Sequence, residues 1–271
     1  MNAKNNIFSS FILTYCIAPL TLAAATAVIY YPSLFYDFQF DDIPNIQKFF
    51  ASRSNTFAKL FNSGSRWISY WLNAINYHLG KFDPFFYRLF NVTFHIITGI
   101  LIFFVVYRLL KLISDRHTYA RFYHTYALAI AYTTSLLFLL HPVQTQTVSY
   151  VIQGQLEGLA GLCIMSIILC FITMATSESL VLRYSFGLLT CVIGFISCGT
   201  KEIAILSPVL LVLVDWFFIA QADFKKILQR MPFYLIFTAI IIGQYVYLLR
   251  FSFLKTQLVG HLALNNNVGN I

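Results

Sequence analysis

Apolar residues in this chain run in long unbroken stretches, without the period-two alternation of a half-buried strand and without the single stripe of a soluble amphipathic helix. A hydrocarbon slab about 30 Å thick needs roughly 20 apolar residues of helix to cross it. Seven windows meet or approach that length: 8–31, 89–112, 126–140, 156–175, 184–198, 203–220 and 232–249. Three of them are short, which implies tilt or local thinning of the bilayer.

The pattern changes between the first two windows. Ile46, Phe49, Phe50, Phe57, Leu60 and Phe61 recur at helical spacing, interrupted by the polar ASRSN. A second stripe runs through Trp67, Trp71, Ala74, Ile75, His78 and Leu79 and stops at Gly80. These stripes predict two amphipathic helices lying in the membrane interface, where aromatic rings favour the headgroup level. The expected fold is therefore an all-α integral membrane protein of about seven spans. Its membrane module covers 1–250, with a long first outer loop at 32–88, and a short polar outer-face tail at 251–271 is predicted to be disordered or truncated.

Composition agrees, since 59% of the 271 residues are hydrophobic and only 10% are charged, with a mean hydropathy of +0.72. No water-soluble domain of this length hides that much apolar surface. The net charge of +8 does not point to nucleic acid, because the basic residues sit between the windows and form no single patch. Arg108, Lys111, Arg116 and Arg121, then Arg183, then Lys225, Lys226 and Arg230 fall in linkers on one side. The positive-inside rule makes that side, with the N-terminus and Lys4, cytoplasmic. The 32–88 loop then faces the periplasm of a bacterial cytoplasmic membrane or the lumen of the endoplasmic reticulum. The first apolar run is long for the core of a cleaved signal peptide.

Cys16, Cys163, Cys170, Cys191 and Cys198 all fall in or beside the windows, odd in number, which reads as helix packing and not as a disulfide framework. Metal-ligand spacings such as HExxH or CxxC and Gly-rich phosphate loops are absent from the sequence. The glycosylation sequon at Asn91 sits too close to the bilayer to be a good acceptor.

The chemistry gathers at the other side. Asp37, Asp41, Asp42, Arg66, Arg88, His141, Gln155, Glu157, Lys201 and Glu202 all map to the outer face. Ionisable groups at membrane depth are expensive and mark sites or pathways. Adjacent Asp41 and Asp42 diverge in direction whether extended or helical, so they suit separate tasks: one as a general base on an attacking hydroxyl, the other holding the acceptor, a divalent cation or a basic group. Lys201 and Glu202 are likewise neighbours and face apart on a helix. Lys201 then needs another anion, and a phosphate at the membrane surface suits its ammonium. His141 ends the third window before Pro142, as an interfacial cap or a proton carrier. Asp215, near the opposite end of the sixth window, is expected to find a structural Lys or Arg.

Four segments, FQFDDIPNI, SRWISYWLNAINYHLGKFDPFFYRLFNVTFH, LLFLLHPVQTQTVSYVIQGQLEGLAG and GTKEIAILSPVLLVLVDWFF, occur in the order seen in a known family. The series, over 31–218, resembles transmembrane O-mannosyltransferases with tetratricopeptide repeats and their bacterial relatives, which are GT-C-type glycosyltransferases. The resemblance implies an enzyme that moves a sugar, a mannose-like hexose, from a polyprenyl-phosphate or dolichyl-phosphate carrier to a hydroxyl of a protein or glycan acceptor on the non-cytoplasmic face, with inversion. It implies that the acidic motif of the first outer loop, here Asp41 and Asp42, is catalytic. Lys201, with Arg66 or Arg88, would steady the departing lipid phosphate, and His141, Glu157 and Glu202 would complete its site.

Two departures stand out. Where relatives often carry a Gly-Arg-x-Asp pattern, this chain has Gly154-Gln155-Leu156-Glu157. It also stops after the seventh window, without the further spans or helical repeats of such relatives, which leaves three expectations open: a fragment, a minimal version, or a subunit whose partner supplies the missing C-terminal module. A catalytically silent membrane subunit and a transporter are the competing readings; the second fits less well, because the acids gather at one surface and not at mid-bilayer.

Overall fold

The computed structural model describes residues 11–40, 42–51, 65–113 and 118–248. Asp41, residues 52–64 with the second half of the first amphipathic stripe, and the 251–271 tail lie outside the described residues. Among those described, all regular structure is helical.

Seven helices are long and apolar enough to cross a membrane: α1 (Leu13–Phe35), α4 (Pro84–Leu112), α5 (Ala120–Leu140), α7 (Val151–Thr176), α8 (Leu180–Cys198), α9 (Glu202–Ile219) and α11 (Met231–Leu248). Short helices complete the set: α2 (Asp42–Ala51), α3 (Trp67–Gly80), α6 (Gln144–Ser149) and α10 (Phe224–Gln229). The chain is thus a multi-pass, all-α integral membrane protein. Helices answer the bilayer's central demand, because each satisfies its own backbone polar groups where water is scarce. Most spans begin a few residues before the apolar windows, since the first turns of α4, α5 and α7 carry polar side chains that dilute local hydropathy without breaking the helix.

Successive spans run in opposite directions. The 36–83, 141–150 and 199–201 connections therefore share one end of the bundle, and the 113–119, 177–179 and 220–230 connections share the other. Only a minority of each span faces protein; in α8 the buried share is 17%. Leu20, Val28, Val181 and Leu188 point outward instead, which suits a helix with lipid on one side and protein on the other.

One core joins α7, α8, α9 and α11 through Ile167, Phe171, Cys198, Leu211, Phe237 and Ile241. Another joins α1, α4 and α5 through Leu22, Phe103, Ala131 and Leu139. In the latter, Gly99 lets α4 and α5 approach closely, and the Ser135 hydroxyl donates to its carbonyl at 2.6 Å, a packing mode typical of membrane helices. At the end away from the acidic loop, Arg230 donates to both oxygens of Asp215 at 2.7 and 2.6 Å, and the Tyr234 hydroxyl donates at 2.5 Å. This is the basic partner that the sequence predicts for that acid.

Helix α3 forms where the second stripe predicts it. Trp67, Ser69, Leu72, Asn73, Ala74 and Asn76 are buried, whereas Trp71 and Leu79 are exposed. The predicted stripe is thus split: Trp67 and Ala74 are buried, Ile75 is half-buried, and Trp71, His78 and Leu79 are exposed. An interfacial helix can turn apolar side chains to lipid and polar ones to the protein, reversing the soluble rule.

Gly99 carries the fold's clearest steric limit. A Cβ there would sit 2.5 Å from the Leu139 side chain, which is fully buried and has nowhere to move. Gly99→Ala should destabilise the detergent-solubilised protein by about 1–3 kcal/mol through overpacking. Gly243→Ala, whose Cβ meets nothing within 4 Å, should leave the thermal unfolding midpoint unchanged or slightly higher, and equal midpoints for the two variants would refute the packing assignment.

Candidate functional site

The site is built around a break in the chain. After α6, Tyr150 is extended (φ −83°, ψ 113°), and α7 starts immediately and widens into a π-helical turn at Gly154–Gly158. A helix break so close to a membrane core leaves backbone groups that need partners. Side chains from three other elements supply them.

From α4, the Arg88 Nε donates to the Ser149 carbonyl at 2.9 Å, and its Nη2 donates to the Asp37 carbonyl at 2.6 Å. One turn further along α4, the Asn91 Nδ2 lies 3.1–3.3 Å from the carbonyls of Val148, Tyr150 and Val151. Gly154 makes room for this amide: a Cβ there would lie 2.1 Å from the Asn91 Cγ. From α3, the Ser69 hydroxyl donates to the Gln155 carbonyl at 2.6 Å and lies 3.3 Å from the Thr200 carbonyl. It ties the α6–α7 break to the α8–α9 turn.

Asp42 is the most constrained of these groups. Its side chain is fully buried at the start of α2, accepting the Ile152 N–H at 3.1 Å on one oxygen and the Gln39 N–H at 3.2 Å on the other. Burial pushes its carboxyl above the ordinary carboxylate range, against the pull of backbone N–H groups of Ile152, Gln39 and Val151 and of the Arg88 guanidinium. With both oxygens engaged by the backbone, Asp42 acts as a clamp that holds the 37–42 segment against the break. It does not present the open carboxylate expected of a cation ligand. Among the described residues no group of three or more His, Cys, Asp or Glu could hold a metal ion.

The remaining predicted residues form two ion pairs. Arg66 grips Glu202 through Nε and Nη2, both at 3.0 Å, with the Ser65 hydroxyl 3.3 Å away. Lys201 pairs with Glu157. The anion that Lys201 requires is therefore present within the chain, which hydropathy alone could not reveal because 44 residues separate the partners. Both pairs reach solvent: the side chains of Lys201 and Arg66 are 23% and 35% exposed. Five residues, roughly 7.5 Å of helical rise, separate Ile152, to which Asp42 binds, from Glu157, to which Lys201 binds. His141 stays local, exposed at the end of α5 with its Nδ1 accepting the Val143 N–H at 3.2 Å, as a cap does.

Arg88 also differs from its predicted use. It is 1% exposed and both described bonds go to backbone carbonyls, so it positions the acidic loop. Its Nη1 has no hydrogen-bond partner among the described residues. Sequence reasoning overlooked Asn91, Ser69, Asn73 and Asn76. Their signal was present: 69, 73 and 76 share one helical face, and Asn91 is a strong polar group inside an apolar run. The Asn76 and Gln155 amides are buried without described partners, so a polar interior adjoins the break.

Two cavities occupy opposite ends. One of about 720 Å³ lies between the ends of α7, α8 and α11 near Arg183 and Arg230, far from the acidic loop. One of about 160 Å³ lies beside the break and includes Asn91 and Glu157 in its wall.

The Asp42 clamp generates a pH signature. A carboxyl whose folded pKa is raised favours folding while protonated, below the ordinary value of 3.8, and that contribution is lost as pH rises through the raised value. Asp42→Asn cannot ionise and keeps one oxygen for a backbone N–H. The midpoint of Asp42→Asn minus that of the wild type should therefore increase between about pH 4 and about pH 8, measured by thermal unfolding in detergent. A pH-independent difference would contradict the buried clamp.

Comparisons with protein-family models, with curated proteins and with solved structures find no match for this chain.

Proposed function

We propose that this chain is a membrane glycosyltransferase that takes a hexose, mannose-like by the motif resemblance, from a polyprenyl-phosphate carrier and transfers it to a hydroxyl on the non-cytoplasmic side. One observation carries the reading. Residues of four motif segments, far apart in sequence, are joined by direct hydrogen bonds at a single end of the bundle: Asp42, Arg66 and Ser69, Arg88 and Asn91, Glu157, and Lys201 with Glu202. The short linkers at the opposite end carry Arg108, Lys111, Arg121, Arg183, Lys225, Lys226 and Arg230, and on the positive-inside rule, counted over such short linkers, we read the motif-bearing end as non-cytoplasmic.

In this reading Asp41 is the general base. Its neighbour Asp42 is locked to the backbone, which orients the segment and leaves the catalytic task to Asp41. The acceptor oxygen attacks the sugar C1 while its proton passes to Asp41. The C1–O bond to phosphate breaks from the opposite face, inverting the configuration, and the carrier departs as a phosphate anion that needs no general acid.

Lys201 and Arg66 stabilise that growing negative charge. Their present partners are not an obstacle, because solvent-reaching ion pairs contribute only about 0–1 kcal/mol. A doubly charged phosphate at the same rim competes readily with them. Arg88 remains a positioning residue. The carrier lipid and a hydroxyl acceptor are the interactions this chemistry requires.

The test uses purified wild-type protein in nanodiscs, offered polyprenyl-phosphate mannose or glucose with Ser/Thr peptides. Asp41→Asn should lower transfer by about 10²–10⁴-fold and Lys201→Met by about 10²–10³-fold, with unfolding midpoints near wild type. Wild-type rates in Asp41→Asn would remove Asp41 from the mechanism, and absence of carrier binding by the wild type would overturn the reading itself.

A further inference from the structure

The cavity beside the break has a size and lining that no step above uses. Its volume of about 160 Å³ is close to the roughly 150 Å³ that holds a benzene and well below the roughly 300–1,000 Å³ of pockets for larger ligands; a hexose has about twice benzene's heavy atoms, so the cavity, open on one side, takes one part of a single sugar ring and leaves the rest at its mouth. An apolar hole of that size takes an apolar ring. This one is lined by Asn91, Gln144, Thr147 and Glu157, with Phe138 on one wall, so the ring that suits it is hydroxylated.

Two observations show room and unmet hydrogen-bonding capacity. Gly158 and Gly161 lie on the cavity wall, one turn apart on α7. Among the described residues, a Cβ on Gly161 meets nothing within 4 Å, and one on Gly158 meets only the Thr147 methyl at 3.6 Å, so the glycines leave space and are not demanded by close helix packing. Asn91 is 2% exposed; its Nδ2 is committed to the break, while its Oδ1 has no partner among the described residues. His95 and Thr98 also line the cavity, but both are engaged by the carbonyls of Leu139 and Phe94.

The chemistry distinguishes a sugar from its phosphate. The Asn91 Oδ1 and the Glu157 carboxylate are acceptors, so they need donors from the ligand. Sugar hydroxyls are donors, whereas a phosphate dianion has none to give and is repelled by Glu157. Lys201, bound to that same carboxylate, offers the phosphate a place immediately beyond it. Because Lys201 already balances the charge of Glu157, the wall favours a neutral polyol over a cation.

We infer that this cavity is the sugar-recognition subsite: Asn91 and Glu157 accept bonds from one hexose ring, Gln144 and Thr147 read its remaining hydroxyls, Phe138 covers an apolar face, and the glycine floor sets the size limit. The inference rests on the glycosyltransferase reading, which supplies the hexose. Size exclusion by the glycines makes ring size and hydroxyl orientation the selected features, while the carrier chain stays outside.

Binding of polyprenyl-phosphate mannose, polyprenyl-phosphate glucose and bare polyprenyl phosphate to nanodisc-embedded protein, followed by microscale thermophoresis, tests the assignment. The wild type should bind at least one hexosyl carrier about tenfold or more tightly than the bare carrier, the equivalent of one or two hydroxyl contacts. Gly161→Leu, which fills the open space, should abolish that preference and leave bare-carrier affinity unchanged. Gln144→Ala with Thr147→Ala should shrink the mannose-to-glucose ratio while keeping the unfolding midpoint. Should Gly161→Leu fold and retain the full preference, the sugar lies elsewhere and the subsite is wrong although the glycosyltransferase reading stands. If the wild type binds neither sugared nor bare carrier, both fall together.

Discussion

A backbone interrupted at the edge of a membrane core has few ways to satisfy its polar groups, and the rest of this structure follows from how the interruption at Tyr150 is handled. Water could serve the exposed face of such a break, but not a face packed between α3 and α4. Asp42 takes the Ile152 N–H, Arg88 the Ser149 carbonyl, Asn91 the carbonyls of Val148, Tyr150 and Val151, and Ser69 the Gln155 carbonyl. Each bond also fixes where its own element begins, so the break organises α2, α3 and the first turns of α4. An unsatisfied buried partner costs about 1–3 kcal/mol, which makes the set mutually dependent.

The same arrangement sorts the charged residues into two kinds. Asp42 and Arg88 are buried, satisfied largely by backbone, and cannot move without undoing the loop. Arg66, Glu202, Lys201 and Glu157 stand at the rim, where their pairing contributes little and can be exchanged. A rigid buried layer beneath an exchangeable rim is a sound physical basis for ligand capture, since the positions are held by the first and the charges are offered by the second.

Helical spans were legible because a bilayer imposes length and composition together, and runs such as 89–112 satisfy both with little ambiguity. Their ends were less so: hydropathy discounts Arg121 and His124, yet α5 continues through them because a helix tolerates polar side chains in its first turns. The face that α3 turns to the protein was not legible. Its apolar stripe marks an interfacial helix, but beside lipid an apolar side chain has two places to go, and Ser69, Asn73 and Asn76 took the protein side together with Trp67 and Ala74. Apart from the basic partner expected for Asp215, pairings across the chain were illegible. That Lys201 would meet Glu157, or that Asp42 would be spent on a backbone N–H, depends on tertiary placement which no local pattern encodes, whereas the described site residues of the motif series do lie at one end of the bundle.

On the proposed reading, the burial of Asp42 decides which aspartate does the chemistry. Asp42 is fully buried with both oxygens accepting backbone N–H groups, so an arriving hydroxyl cannot reach it, whatever its basicity. On that reading the catalytic task therefore falls to Asp41, and the backbone bonds of Asp42 fix the start of α2 beside it. The Arg88 bond to the Asp37 carbonyl holds the same loop from its other end. Bonds at Asp37 and at Asp42 thus bracket the acidic motif from both sides.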